Sequence, residues 1–279
     1  MFIRNAKMIV VLLLLFIATT AQAQYEVDAT VEDNFQWPAG IRCAVSLSFD
    51  DARETQVDNG VPLLNKHGVK ATFYVRPDRV KKRLEKWKQA AVDGHELANH
   101  TVNHPCTGNF AFTRQKALED HTLAKMKAEM LACNAAIKEL TGVTMKSFAY
   151  PCGQKFVGRG LDLRSYVPIV AEQFLSGRGW LDEHPNNPAF CDLAQLMGMK
   201  SDQLTFEELK RLVDDTAEEG FWMVFAGHDI GPKRSGLNTT DTELDKLCRY
   251  MMDPANGIWV GTVGEISEYV VKQRSKNSK

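Results

Sequence analysis

From Ile41 onward, apolar positions switch between the two-residue period of a strand and the 3.6-residue period of a helix. Residues 42–49, Arg42-Cys43-Ala44-Val45-Ser46-Leu47-Ser48-Phe49, read as an apolar strand running into Asp50-Asp51. Residues 57–67 have helical spacing closed by Gly68, and 69–75 predict a second strand. Residues 81–92 form a Lys-rich amphipathic helix ended at Gly94, and 114–140 a long helix closed by Thr141-Gly142. A short strand over 147–150 runs into Pro151-Cys152-Gly153, and the β-branched stretch 166–173 predicts another strand. Residues 176–192, rich in Gly, Pro and Asn, read as a surface loop. A capping box (Thr205, Glu208) opens a helix over 205–219, followed by a strand at 221–226. A helix at 240–252, a strand at 258–262 and a helix at 263–273 complete the pattern. Alternating strands and helices without internal repeats imply βα units around a parallel sheet in one domain, either a barrel or an open sheet. Both gather their site at the carboxyl ends of the strands.

The chain ahead of this pattern has a different character. Arg4 and Lys7 precede an apolar run over 8–18, and Ala21-Gln22-Ala23 is a small-x-small cleavage site. That is a secretory signal, too short in its apolar core to span a membrane, with cleavage expected after Ala23; an uncleaved anchor is the alternative. No cysteine follows the run directly, so a lipid anchor is not indicated. Residues 24–40 are a polar, extended lead-in and 41–279 a single domain. The mature chain is expected to be periplasmic or extracellular, without a membrane partner. Loss of Arg4 and Lys7 takes the formal charge from −1 to −3. That argues against a nucleic-acid partner and suits a neutral or weakly charged substrate. Export allows the six cysteines to pair, and the absence of C-x-x-C argues against a cysteine zinc site. Cys43, in an apolar strand, reads as a buried free thiol. Cys106 and Cys152 lie near the candidate chemistry in sequence, where either could staple a site loop.

That chemistry centres on residues 94–105, Gly94-His95-Glu96-Leu97-Ala98-Asn99-His100-Thr101-Val102-Asn103-His104-Pro105, which hold three of the seven histidines. His100 and His104 are four apart, so a helical turn would put both on one face, with Pro105 ending the turn. Asp50-Asp51, Pro151-Cys152-Gly153 and Gly227-His228 each follow a predicted strand directly. Neighbouring strand residues point to opposite faces, so two adjacent aspartates share a site only where the chain turns. Helix capping is the alternative for the aspartates, and a backbone-bonded strand-end residue the alternative for His228. Two imidazoles and one carboxylate leave coordination positions open on a cation, which can lower the pKa of bound water to ~7. A spare carboxylate to take a proton and a spare imidazole to give one complete a hydrolase inventory.

So arranged, residues 41–269 resemble the polysaccharide deacetylases of the NodB-homology family, carbohydrate esterase family 4. Ser48-Phe49-Asp50-Asp51 is similar to the family's T-F-D-D, and Gly94 to His104 to its G-H-E-x-x-N-H-[ST]-x-x-H. The resemblance implies a distorted (β/α) barrel of seven parallel strands. It implies one divalent metal ion, zinc or another transition metal, on Asp51, His100 and His104. Asp50 would be the general base, His228 (in Val224-Phe225-Ala226-Gly227-His228) the acid, and the Cys152 backbone N–H an oxyanion donor. Tyr150 and Trp180 are expected beside the substrate. Tyr74 and Trp222 are further groove candidates, with core packing the alternative for Trp222. Two positions depart from the family. Ala149 stands where Phe148-Ala149-Tyr150-Pro151-Cys152-Gly153 should hold the arginine that orients the base. The acidic partner of His228 has two candidates, Asp182 (near Trp180) and Glu172. The expected function is removal of N- or O-linked acetyl groups from an acetylated glycan. An iron(II) oxygenase with the same triad, distinguished by oxygen-dependent turnover, is one alternative. A carbohydrate-binding pseudoenzyme is another, encouraged by the missing arginine.

Overall fold

The computed structural model describes residues 35–277. Seven parallel strands form one path: β1 (Cys43–Asp50), β2 (Thr72–Val75), β3 (Glu96–Asn99), β4 (Ser147–Ala149), β5 (Ser176–Arg178), β6 (Met199–Lys200) and β7 (Trp222–Gly227). Their spatial order is β5-β4-β3-β2-β1-β7-β6. The two ends curl together, with Leu196 N donating to Gly177 O and Gly179 N to Leu196 O, each at 2.7 Å. The result is the distorted seven-strand barrel expected, with an eighth short strand, β8 (Ile258–Val260), beside the start of β1.

All eight residues of β1 are buried, as a strand covered on both faces requires. Around the sheet lie α1 (Val61–Lys66), α2 (Leu84–Val92), α3 (Leu123–Thr141), α4 (Val167–Gln173), α5 (Phe206–Glu219), α6 (Asp241–Met252) and α7 (Val263–Asn277). The main core joins Val45, Leu47, Phe49, Phe73 and Phe225 from the strands to Trp87, Leu209, Val213, Leu244 and Leu247 from the helices. Each such side chain contributes roughly 1.5–3 kcal/mol on burial. Thr205 and Glu208 form the reciprocal capping box, and left-handed Gly220 ends α5. At the opposite end of the barrel from the strand termini, the Glu96 carboxylate accepts from Thr72, Ser147 and the Gly264 N–H, which moors α7 beneath the sheet.

The structure corrects several expectations. Residues 166–173 are helical: Tyr166, Val170 and Phe174 are the buried positions, a spacing of four rather than two. Pro168 sits in the first turn, where it suits a helix start. Within the expected loop 176–192 lies β5, a buried strand whose Ser-Gly-Arg sequence carries no apolar signature. β6 was not expected at all. The long helix begins only at Leu123, capped by Thr122, with 3₁₀ turns before it. The leader lies outside the described residues, as does the lead-in up to residue 34. Its remainder packs down: Trp37 stacks on Tyr269 at 5.9 Å and donates to Gly220 O. Among the described residues no helix is long and apolar enough to cross a membrane.

Candidate active site

β1 ends at Asp50, and Asp51 (φ +78°) and Ala52 (φ +51°) are left-handed, so the chain turns sharply and both carboxylates serve one rim. β3 ends one residue before His100. The histidine stretch is a loop rather than the helical turn expected, with Thr101 at φ +60° and His104 at φ +51°. Asn99 Oδ1 accepts from Thr101 N at 2.8 Å and Thr101 Oγ1 from His104 N at 3.0 Å, and these bonds fold it. The two rings stand edge to face at 4.7 Å. Asp51 Oδ1 lies 4.0 Å from His100 Nε2 and 3.6 Å from His104 Nε2. One ligand atom from each residue falls within 4.8 Å of the others. His100 Nδ1 donates to Ala149 O at 3.0 Å, which fixes the tautomer and leaves the Nε2 lone pair free. Burial, then the charge of its neighbour His100, pushes His104 down to about 3. Burial lowers His100 as well, so both rings are neutral donors. Burial opposes the charged form of Asp51, but His100, His104 and Arg53 outweigh it and hold the carboxyl below its usual range. Two neutral imidazoles and an ionised carboxylate fit a borderline cation such as zinc.

Asp50 is buried, and its partner comes from an unexpected place. Arg178, at the end of β5 and fully buried, pairs with Asp50 Oδ1, donates to Gly179 O at 2.7 Å and lies 4.7 Å over the Tyr74 ring. A side chain at Gly198 would overlap Arg178 Cδ, so the glycine makes room for the guanidinium. Burial works against the Asp50 charge, but Arg178, then His100 and His228, hold its carboxyl below the ordinary value.

His228 follows β7. Phe49 and Gly227 are paired in register, so Asp50 and His228 leave their strands side by side. Gln56 Nε2 donates to both backbone carbonyls, at 2.6 Å and 2.9 Å. His228 Nδ1 donates to Asp202 Oδ2 at 2.7 Å, and Asp202 Oδ1 accepts from the His228 N–H at 3.0 Å. Neither expected acid plays this part. Asp182 accepts from Gly198 N, and Glu172 pairs with Lys127 at the surface. Asp202 follows β6 just as Asp50 ends β1. The strand-end rule would have found it had so short and polar a strand been visible.

Trp180 meets the His228 ring edge to face at 4.8 Å. Tyr150, expected beside the substrate, is instead a core residue that packs with Phe148 and Tyr166 and donates to Ala194 O. Tyr74 is buried beneath Arg178, and Trp222 takes its core alternative, donating to Ser46 Oγ at 3.0 Å. Cys152 is left-handed (φ +54°) and disulfide-bonded to Cys106, so the two cysteines singled out pair with each other. Cys43 is buried and free, as expected.

Residues 41–158, from the start of β1 to the loop beyond β4, match the polysaccharide deacetylase family model. Over that segment the chain is similar to the polysaccharide deacetylases. A chitooligosaccharide deacetylase of Bradyrhizobium sp. (strain ANU 289) is 32% identical over 108 residues, 38% of this chain and 48% of that protein. The chain spans less than half the length of the curated relatives it matches. Among solved structures, a Mycobacterium smegmatis protein put forward as a polysaccharide deacetylase superimposes with a TM-score of 0.65 at 17% identity, over 86% of this chain and 94% of that one. A family 4 acetyl xylan esterase from Clostridium thermocellum, solved with a cobalt ion, gives 0.54 at 19% identity, over 81% and 91%. At such identities these two likenesses concern the fold.

Proposed function

We propose that this chain is a polysaccharide deacetylase that hydrolyses acetyl groups from a polysaccharide or oligosaccharide with one bound divalent cation. The observation that carries the reading is the meeting of Asp51, His100 and His104 within 4.8 Å on the rim where Asp50 and His228 emerge together. Asp51, His100 and His104 would hold the ion, zinc first by donor type. What such an ion supplies is Lewis acidity, enough to polarise an acetyl carbonyl and bring the pKa of water to ~7. Asp50, kept ionised by Arg178, accepts a proton from the attacking water. The Cys152 N–H stabilises the developing oxyanion, a task independent of its side chain. His228, with its Nδ1 proton held by Asp202, turns Nε2 toward the departing nitrogen or oxygen and protonates it. Trp180 fixes the His228 ring from one side and offers an aromatic face at the rim.

The likeness to a chitooligosaccharide deacetylase supports an acetylated glycan as the substrate class, with the acetyl on nitrogen or on oxygen. The leader over residues 1–23 would bring the protein to such polymers outside the cytoplasm. The test is acetate release from acetylated xylan, chitooligosaccharide and peptidoglycan, with and without chelator. Release from at least one, abolished by chelator and restored by zinc, is expected. Sugar binding with no acetate from any of the three would make the protein a carbohydrate-binding pseudoenzyme.

A further inference from the structure

The Cys106–Cys152 disulfide joins the two loops that carry opposite halves of the proposed site. Cys106 lies two residues beyond His104, and its Sγ is 3.6 Å from His104 Nδ1, on the side of the ring away from Asp51. Cys152 lies in the loop after β4 and carries the N–H assigned above to the oxyanion, so the inference rests on that reading. Both loops hold a non-glycine residue in the left-handed region, His104 at φ +51° and Cys152 at φ +54°. Such conformations cost of order 1–3 kcal/mol each and persist only where the surroundings enforce them. Beside the covalent link Thr107 N donates to Gln154 Oε1 at 2.7 Å, and nearer the strand ends His100 Nδ1 donates to Ala149 O at 3.0 Å. The chain's other cysteines are free, three of them deep in the core. The one bond formed is thus spent on the site rather than on tying distant parts of the fold.

We propose that Cys106 and Cys152 are positioning residues whose bond sets His104 against Asp51 and His100 while fixing the Cys152 N–H, so that the site is competent only in the oxidised chain. Cys106 is fully buried and Cys152 half-buried, so a reductant reaches the Cys152 sulfur first. With a phosphine, phosphorus attacks that sulfur and the S–S bond breaks. Water then releases phosphine oxide, leaving two thiols; phosphorus loses two electrons and the disulfide gains them. Two thiols need van der Waals separation, so the loops part and the contact that fixes the His104 ring is lost.

The experiment uses the full chain reduced with tris(2-carboxyethyl)phosphine, which is then removed under anaerobic conditions. Zinc affinity is expected to fall about 10–100-fold, the size of effect that supporting contacts have on metal sites. Acetate release should fall with it, the far-UV circular dichroism should be unchanged, and reoxidation should restore both. The C106A/C152A variant should show the lowered affinity whether or not reductant is added. Unchanged zinc affinity and acetate release in fully reduced protein would overturn the proposal. So would a loss that occurs only together with unfolding, since the bond would then be a general cross-link. Zinc affinity is read without turnover, so it decides on the disulfide even if the oxidised chain releases no acetate and the proposed activity fails.

Discussion

Ala149 and Arg178 face each other in register on β4 and β5, and only Arg178 reaches Asp50. Ala149 shares the barrel interior with Tyr74 and Ala98, and Arg178 lies over that same Tyr74 ring. The small side chain on one strand leaves the volume that the long one on the next strand fills. The guanidinium beside Asp50 therefore comes from β5, across from Ala149 on the neighbouring strand.

If Arg178 orients the base, R178A should lower kcat about 100-fold with little change in KM, the scale on which misplacement of a reacting group acts. R178K should recover part of the loss, because a lysine keeps the charge without the planar fork. The informative variant is R178A/A149R, which returns the guanidinium to the adjacent strand and should regain at least about tenfold over R178A. Wild-type turnover by R178A would remove the arginine from the account.

The uneven legibility of the chain follows from element length. β1 has eight residues and an apolar run into Asp50-Asp51, so strand, strand end and chemistry could all be read together. The histidine stretch was legible as a ligand set although its backbone was not, because left-handed Thr101 and His104 have no propensity signature. β5 and β6 have three and two residues, too few to show any period, and with them Arg178 and Asp202 went unseen. α4 was misread because its β-branched residues favour strands, while its burial at 166, 170 and 174 follows a helix.

Asp202 gives a second expectation. Its two oxygens bind the backbone N–H and Nδ1 of His228, which fixes the ring with Nε2 free for the proposed role of acid. D202N presents an amide that no longer stabilises the imidazolium, and kcat should fall about 100- to 10,000-fold, the range of a lost general acid. Zinc affinity should hardly move, because Asp202 touches no proposed ligand. A parallel drop in zinc affinity would mean that Asp202 shapes the whole rim.

Asp50 separates base from ligand. Asp50 and Asp51 are adjacent, but the Asp50 carboxylate is turned to Arg178 and the Asp51 carboxylate to the two histidines. D50N should abolish measurable acetate release while zinc titration still reports a site of near wild-type affinity, and D51N should lose both. Normal activity in D50N would overturn the base assignment.

His95, in the same motif but at the other end of β3, predicts the pH dependence of stability. Its ring is 4% exposed, with Nδ1 accepting from Ala71 N at 3.1 Å and Nε2 donating to Asn65 Oδ1 at 3.1 Å. A second proton would have to sit on Nδ1, facing that N–H. Burial, then the charge of Lys70, pushes the pKa down to about 4, with Asp93 pulling weakly upward. The unfolded chain takes up its proton near 6.5. Between those values the unfolded state binds more protons, so stability is complete above about pH 6.5 and drains away as pH falls toward 4. The contribution lost by pH 5 is about 2 kcal/mol out of about 3. Urea unfolding at pH 7.5 and pH 5.0 should therefore show wild type losing about 2 kcal/mol more than H95Q, which has no group to protonate there. An equal loss in the two proteins would show that the His95 ring is not held neutral by its pocket.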